Sequence, residues 1–234
     1  MRTALAAISL STIVPFAAGQ VTVVIDDFSD GEIVVSRDVL GMTSDSTPAS
    51  VVGGMRDIEL NVIFNPFSID SMAEVDRADN NLLAFSSGAG NATTLTLTYA
   101  GESGDIDLSL MNTSVFALDF GFVDLDFVLT LVATDDDGNT GSTTVAVSEF
   151  AGFQRVEVLA SALAGGSSLD LSNIASLSFE FNSDVGNNDD IASLIDALDF
   201  VLDEISVETP PIPTPGSMMI AGTGLMLVAR RRRA

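Results

Sequence analysis

From Val21 to Val207 the chain repeats one device. Apolar and polar residues alternate with a period of two in short runs, separated by Gly, Asn, Asp and Ser. Val21, Val23 and Ile25 open the series, and Ile58, Leu60, Val62 and Phe64 follow. Leu95, Leu97 and Tyr99 alternate with Thr, and Ile106, Leu108 and Leu110 form a further run. Phe116, Leu118, Phe120 and Phe122 give a fourfold alternation, and Phe127, Leu129 and Leu131 come next. The pairs Val145/Val147 and Val156/Val158 and the triplet Leu177, Phe179, Phe181 continue it. Successive strand residues point to opposite faces, so each run predicts a strand with one buried and one solvated face. Within the body no segment holds the 3.6-residue period long enough for a helix.

Turn chemistry separates the runs. Asp135-Asp136-Asp137-Gly138-Asn139 stands between two of them, and Asp-Gly is a hairpin signal. Asn80-Asn81, Ser87–Asn91, Gly101–Gly104 and Gly165–Ser168 mark other turns. At the end of the body Leu198, Phe200 and Leu202 give way to Ile205 and Val207, a slip of phase that predicts a β-bulge. Roughly ten strands without a long helix predict an all-β fold: a single antiparallel β-sandwich of the jelly-roll type. Neither an internal repeat nor a linker before Pro210 divides it.

Charge excludes several functions. The chain has 33 carboxylates and nine basic residues, all of them Arg, with no His, Cys or Trp. Without imidazole or thiolate there is no Ser-His-Asp or Cys-His nucleophile and no ordinary zinc site. Every carboxylate lies between Asp26 and Glu208, opposed only by Arg37, Arg56, Arg77 and Arg155, so this span carries −29. Nucleic acid needs a basic footprint and is not expected as a partner. Such an acidic surface fits solubility in salt, where ions screen its self-repulsion.

The two ends differ from the body. Residues 1–19 place Arg2 before the apolar run Ala4–Val14, then Pro15 and the small residues Ala17, Ala18 and Gly19. This is the layout of a secretory signal peptide, with cleavage expected between Gly19 and Gln20. At the other end residues 209–216 are proline-rich and must run extended. The apolar segment Ser217–Ala229 follows, closed by Arg230, Arg231, Arg232 and Arg233. Thirteen helical residues reach roughly 20 Å, short of a hydrocarbon core of about 30 Å. The Arg cluster would stay cytoplasmic and leave the body outside. The expected organisation is therefore a signal-peptide helix (1–19), an acidic sandwich (20–208), a proline joint (209–216) and a hydrophobic helix with its Arg cluster (217–234).

Proline joint, apolar helix and terminal basic cluster together resemble the PEP-CTERM sorting signal of exported bacterial proteins. Pro213-Thr214-Pro215 occupies the motif position, with Thr214 where the family has Glu, and Gly216 opens the helix. The resemblance implies an exosortase-type processing enzyme as partner, transient anchoring in the inner membrane, and a final place at the cell surface or in the exopolysaccharide matrix. In the body, Ile25–Gly31, Gly53–Ile58 and Leu198–Val207 resemble exported proteins whose jelly-roll bodies are related in shape to carbohydrate-binding and discoidin-like modules. That implies a non-enzymatic structural or adhesive role, or, as the alternative, an extracellular carbohydrate-binding module.

Carboxylates are the only abundant reactive groups. Calcium takes six to eight oxygens, which makes it the cofactor this composition invites. Candidate ligands are Asp135, Asp137 and Asn139, the run Asn187–Asp190, and Asp26 or Asp27 if the first strand lies beside Asp203 on the last. None of these fits an EF-hand loop; ordinary polar turns are the competing reading. No pair of acids is marked out by spacing for glycoside hydrolysis. Arg56 suits a buried ion pair or an acidic ligand, and Tyr99 falls on the core face of its run.

Overall fold

The structure is a computed structural model and describes residues 21–75, 80–100, 114–163, 168–182 and 197–209. The signal-peptide and sorting-tail residues lie outside the described residues, including Gly19, Gln20, Pro213, Thr214, Pro215, Gly216 and Arg230 to Arg233. So do the run Ile106–Leu110 and the acidic run Asn187–Asp190. Residues Thr22–Thr209 form one compact unit.

The strands in chain order are β1 (Val21–Asp26), β2 (Ile33–Arg37), β3 (Gly41–Pro48), β4 (Met55–Phe64), β5 (Ser71–Val75), β6 (Leu83–Ser86) and β7 (Ala92–Ala100). They continue with β8 (Val115–Val123), β9 (Phe127–Asp135), β10 (Thr140–Val147), β11 (Gln154–Leu159), β12 (Ile174–Asn182) and β13 (Asp199–Thr209). One sheet runs β11-β8-β13-β6-β5-β2, with β1 also pairing β13; the other runs β10-β9-β12-β7-β4-β3. Among the described residues the only helical turn is a 3-10 turn, Ala160–Ala162, and no helix is long and apolar enough to cross a membrane. The body is thus all-β, two sheets with antiparallel registers.

Alternation sets the core. In the six-stranded sheet Ile58, Leu97, Phe179 and Leu131 stand in one cross-strand row, and Leu60, Leu95, Phe181 and Leu129 in the next. In the facing sheet Phe85 pairs Phe200 and Leu118 pairs Ile205. These rows meet in one cluster, where Phe120, Phe127, Phe181 and Phe200 lie with ring centroids 5.0–6.4 Å apart. Tyr99 is fully buried as its alternation predicts.

The expected bulge is present, and it has a counterpart. On β13 Leu202 pairs Phe120 and Glu204 pairs Asp119, leaving Asp203 as the extra residue. On β8 the register passes from Phe120 to Phe122 against consecutive residues of β13, leaving Gly121 over. The second slip corrects the sequence reading at one position: Phe122 does not continue the core row of Phe116, Leu118 and Phe120 but is 39% exposed, while Val123 is buried. Two bulges on paired strands restore register on either side and re-aim the side chains between them.

Four strands lie outside the runs that the sequence displays. β2 hides its period inside Ile33-Val34-Val35, where the outward residue is apolar too. β3 is an edge strand of polar composition, and its pairing to β4 is uninterrupted from Gly41 to Pro48. Polar residues and a terminal proline blunt such an edge against further pairing. β5 and β6 are only five and four residues long.

Candidate functional site

The residues at the end of β1 divide between two environments. Asp26 is buried and Asp27 exposed; Ile25 and Asp26 are buried in succession, so strict alternation is broken at the end of β1. Both oxygens of Asp26 are taken: Arg56 Nε donates to Oδ2 at 2.6 Å and Nη2 to Oδ1 at 2.6 Å. The Tyr99 hydroxyl donates to Oδ2 at 2.8 Å, and the Phe28 backbone N–H donates to Oδ1 at 2.8 Å. Arg56 Nη1 donates to the carbonyls of Asp30 and Gly31, at 3.0 and 3.1 Å. Its guanidinium lies 5.3 Å from the centroid of Phe28, a buried residue held at φ 52°. Burial first, and the charge of Asp26 second, push the Tyr99 phenol well up. The planar fork of Arg suits this bidentate carboxylate contact. It joins β1, β4 and β7, which belong to different sheets, and so pins the two layers together. This is a structural core, committed on every side. The structure thus places Asp26, one of the expected calcium ligands, inside the core with both oxygens hydrogen-bonded.

Asp135 is likewise committed. Its Oδ1 accepts the Asn139 N–H at 2.7 Å, and Oδ2 accepts Asn139 Nδ2 at 3.0 Å and the Asp170 N–H at 2.9 Å. The Asp170 amide first, then the Asn139 side chain, hold its carboxyl below the usual range. Asp137 is exposed in the same turn, where Gly138 takes φ 80°. The β9–β10 hairpin is thus built as the Asp-Gly signal predicts. Among the described residues no three carboxylates gather to hold a metal ion.

Asp27 and Asp203 have a different setting. Both line an open groove of about 880 Å³ on the seven-stranded sheet, together with Asp119 of β8 and Gln154 and Arg155 at the start of β11. Phe153 stands at its margin with 83% of its surface exposed, and Asn80, Asn81 and Glu204 complete the polar wall. The Asp203 bulge lies where β6, which covers only Asp199–Leu202, ends against β13. Pairing of β1 with β13 brings first and last strands together as expected and sets Asp27 beside this opening.

Arg155 organises the groove floor. It donates from Nε to Asp119 Oδ1 at 2.8 Å, from Nη2 to Asp119 Oδ2 at 2.7 Å, and from Nη1 to Glu208 Oε1 at 2.5 Å. Asp119 and Arg155 are direct cross-strand partners, so the sheet register itself makes the pair. Burial, and then the charge of Asp119, raise the carboxyl of Asp203 above the usual range. Beyond Phe153, a second depression is formed by Phe122, Asp124, Glu149, Phe150 and Gly152. The sequence reading named Asp27 and Asp203. It singled out none of Asp119, Phe153, Gln154 or Arg155, which only the β8–β11 pairing assembles.

Fold and groove together define a β-sandwich with an open, acidic, aromatic-edged cleft on one sheet. No family model matches the chain, and no curated protein matches it. Among solved structures it is similar to the family 11 carbohydrate-binding module of a cellulosomal cellulase from Clostridium thermocellum, with TM-score 0.40 and 15% identity, covering 82% of this chain and 95% of that one. A family 30 carbohydrate-binding module from a cellulosomal cellulase of the same organism gives TM-score 0.42 and 15% identity over 80% and 96%. An agarase gives TM-score 0.44 and 10% identity, over 81% of this chain and 25% of that one.

Proposed function

We propose that the protein is an exported, non-catalytic glycan-binding module whose ligand lies in the groove across β8, β11 and β13. One observation carries this reading: a largely exposed Phe153 beside planar polar groups, Gln154, Arg155 and Asp119, in an open cleft. A sugar ring offers an apolar C–H face and a rim of hydroxyls. An exposed ring supplies the matching face, and amide, carboxylate and guanidinium groups match the hydroxyls. The openness of the cleft suits a polymer better than a small molecule. Asp119 gives one lone pair of each oxygen to Arg155 and keeps the others for a ligand hydroxyl. A glycan array followed by calorimetry with Phe153→Ala tests the reading. Binding by the parent and a loss of about tenfold in the variant are expected; no binding to any glycan would overturn it.

The ends add a destination. A signal peptide cleaved before Gln20 and a tail of proline joint, apolar segment and Arg cluster support export, passage through an exosortase-type enzyme, and retention at the surface or in the exopolysaccharide layer, where a glycan-binding body has its ligand at hand. Expression in a host that carries such an enzyme should yield a mature chain without Arg230 to Arg233. Intact-mass data that retain them on the surface protein would overturn the processing step.

A further inference from the structure

We infer that the ligand of this groove is a glycan bearing protonated amino groups, such as a de-N-acetylated hexosamine polymer, and that uronate- and sulfate-bearing glycans are turned away. The inference deepens the glycan-binding reading and rests on it. Among the described residues four carboxylates line the groove, those of Asp27, Asp119, Asp203 and Glu204, against one cation, Arg155. That cation already gives three of its five N–H donors to Asp119 and Glu208, whose two carboxylates outweigh its charge. A ligand carboxylate or sulfate would meet a guanidinium already outweighed by its own carboxylate partners, and like charge around it. The side-chain carboxylates of Asp203 and Glu204 accept no hydrogen bond from any described residue, although the Asp203 bulge brings both to the groove. Burial first, and the charge of Asp119 second, raise the Asp203 carboxyl. Phe153 adds an independent feature, because an exposed aromatic face attracts an ammonium as well as a sugar's C–H face. Aromatic face and unpaired carboxylates in one cleft are the two elements that recognise a cationic amine.

The test compares hexaglucosamine, its fully N-acetylated counterpart and a hexameric oligouronate by calorimetry at about pH 6, above the usual carboxylate range. The body as a whole is acidic, so bulk attraction must be separated from the groove. Asp203→Asn does this against Asp45→Asn, which removes the same charge from the exposed edge strand β3 of the other sheet. The expected result is tightest binding of hexaglucosamine, none of the uronate, and a drop of about fivefold in Asp203→Asn alone. Equal affinity for the amine and its acetylated form would overturn the inference while leaving glycan binding intact. Equal losses in the two variants would also overturn it, by assigning the preference to bulk charge. Failure of all three glycans, with a hit elsewhere on an array, refutes the amine alone; failure of every glycan refutes the glycan-binding reading beneath it.

Discussion

Replacing Arg56 with Met puts the two-layer arrangement under direct strain. Methionine fills much of the same space but returns nothing to Asp26, whose carboxylate is then left in the core with only the Tyr99 hydroxyl and the Phe28 N–H. It also strips the carbonyls of Asp30 and Gly31 of their donor. Removing one partner of a buried, hydrogen-bonded ion pair costs about 3–5 kcal/mol. For a domain of this size each kcal/mol lowers the melting temperature by about 2–4 °C. Arg56→Met should therefore melt about 6–20 °C below the parent, by calorimetry on a fragment spanning residues 20–209. Replacing the whole group with Asp26→Leu, Arg56→Met and Tyr99→Phe together should recover at least half of the loss, because no buried charge or phenol is then orphaned. A fall of less than about 2 °C in the single variant would refute the reasoning, since it would mean that water reaches Asp26 in solution.

Two further stability predictions follow from local geometry. Asp203 has its carboxyl raised by burial and by Asp119, so its ionised form opposes folding at neutral pH, and that opposition fades as pH falls through its raised folded value. Asp203→Asn should accordingly raise the urea midpoint at about pH 7 and leave it unchanged at about pH 3, where the carboxyl is protonated in both states; the same gain at both pH values would contradict this. Gly141 of β10 has no room for a side chain, because a Cβ there would lie 2.1 Å from the Leu163 carbonyl oxygen. Gly141→Ala should cost about 1–3 kcal/mol in denaturant titration, and a cost near zero would show that the 160–163 turn moves freely.

Period-two alternation made much of the sandwich legible, because a half-buried strand writes its burial directly into its residues. Ile58–Val62, Leu95–Tyr99, Phe127–Leu131 and Leu177–Phe181 each became a strand with the expected inward side chains, whereas Phe64, beyond a register shift on β4, turns outward at 39% exposed. β2 was hidden because its outward residue, Val34, is apolar as well, and β3 because an edge strand has little core to face. The bulge at Asp203 showed in the sequence as a slip between Leu202 and Ile205. Its partner at Gly121 did not, since Phe116, Leu118, Phe120 and Phe122 alternate without a break; only pairing to β13 turns Phe122 outward. Asp27 and Asp203 were named from the sequence as calcium ligands because first and last strands were expected to adjoin, and the groove does bring these two together. Asp119 and Arg155 are 36 residues apart and meet through the β8–β11 register, which nothing local encodes. Asp26 and Asp27 look alike in the sequence, yet one is locked by Arg56 inside the sandwich and the other opens on the groove.

The central claim is that a glycan occupies the groove across β8, β11 and β13. It is tested most directly by titrating an isotope-labelled fragment spanning residues 20–209 with hexaglucosamine and following backbone amide shifts. Changes should concentrate at Asp119, Phe153, Gln154, Arg155 and Asp203 and vanish in Phe153→Ala. Changes confined to the Thr-rich outer face of β7 and its neighbours in the other sheet would contradict the account.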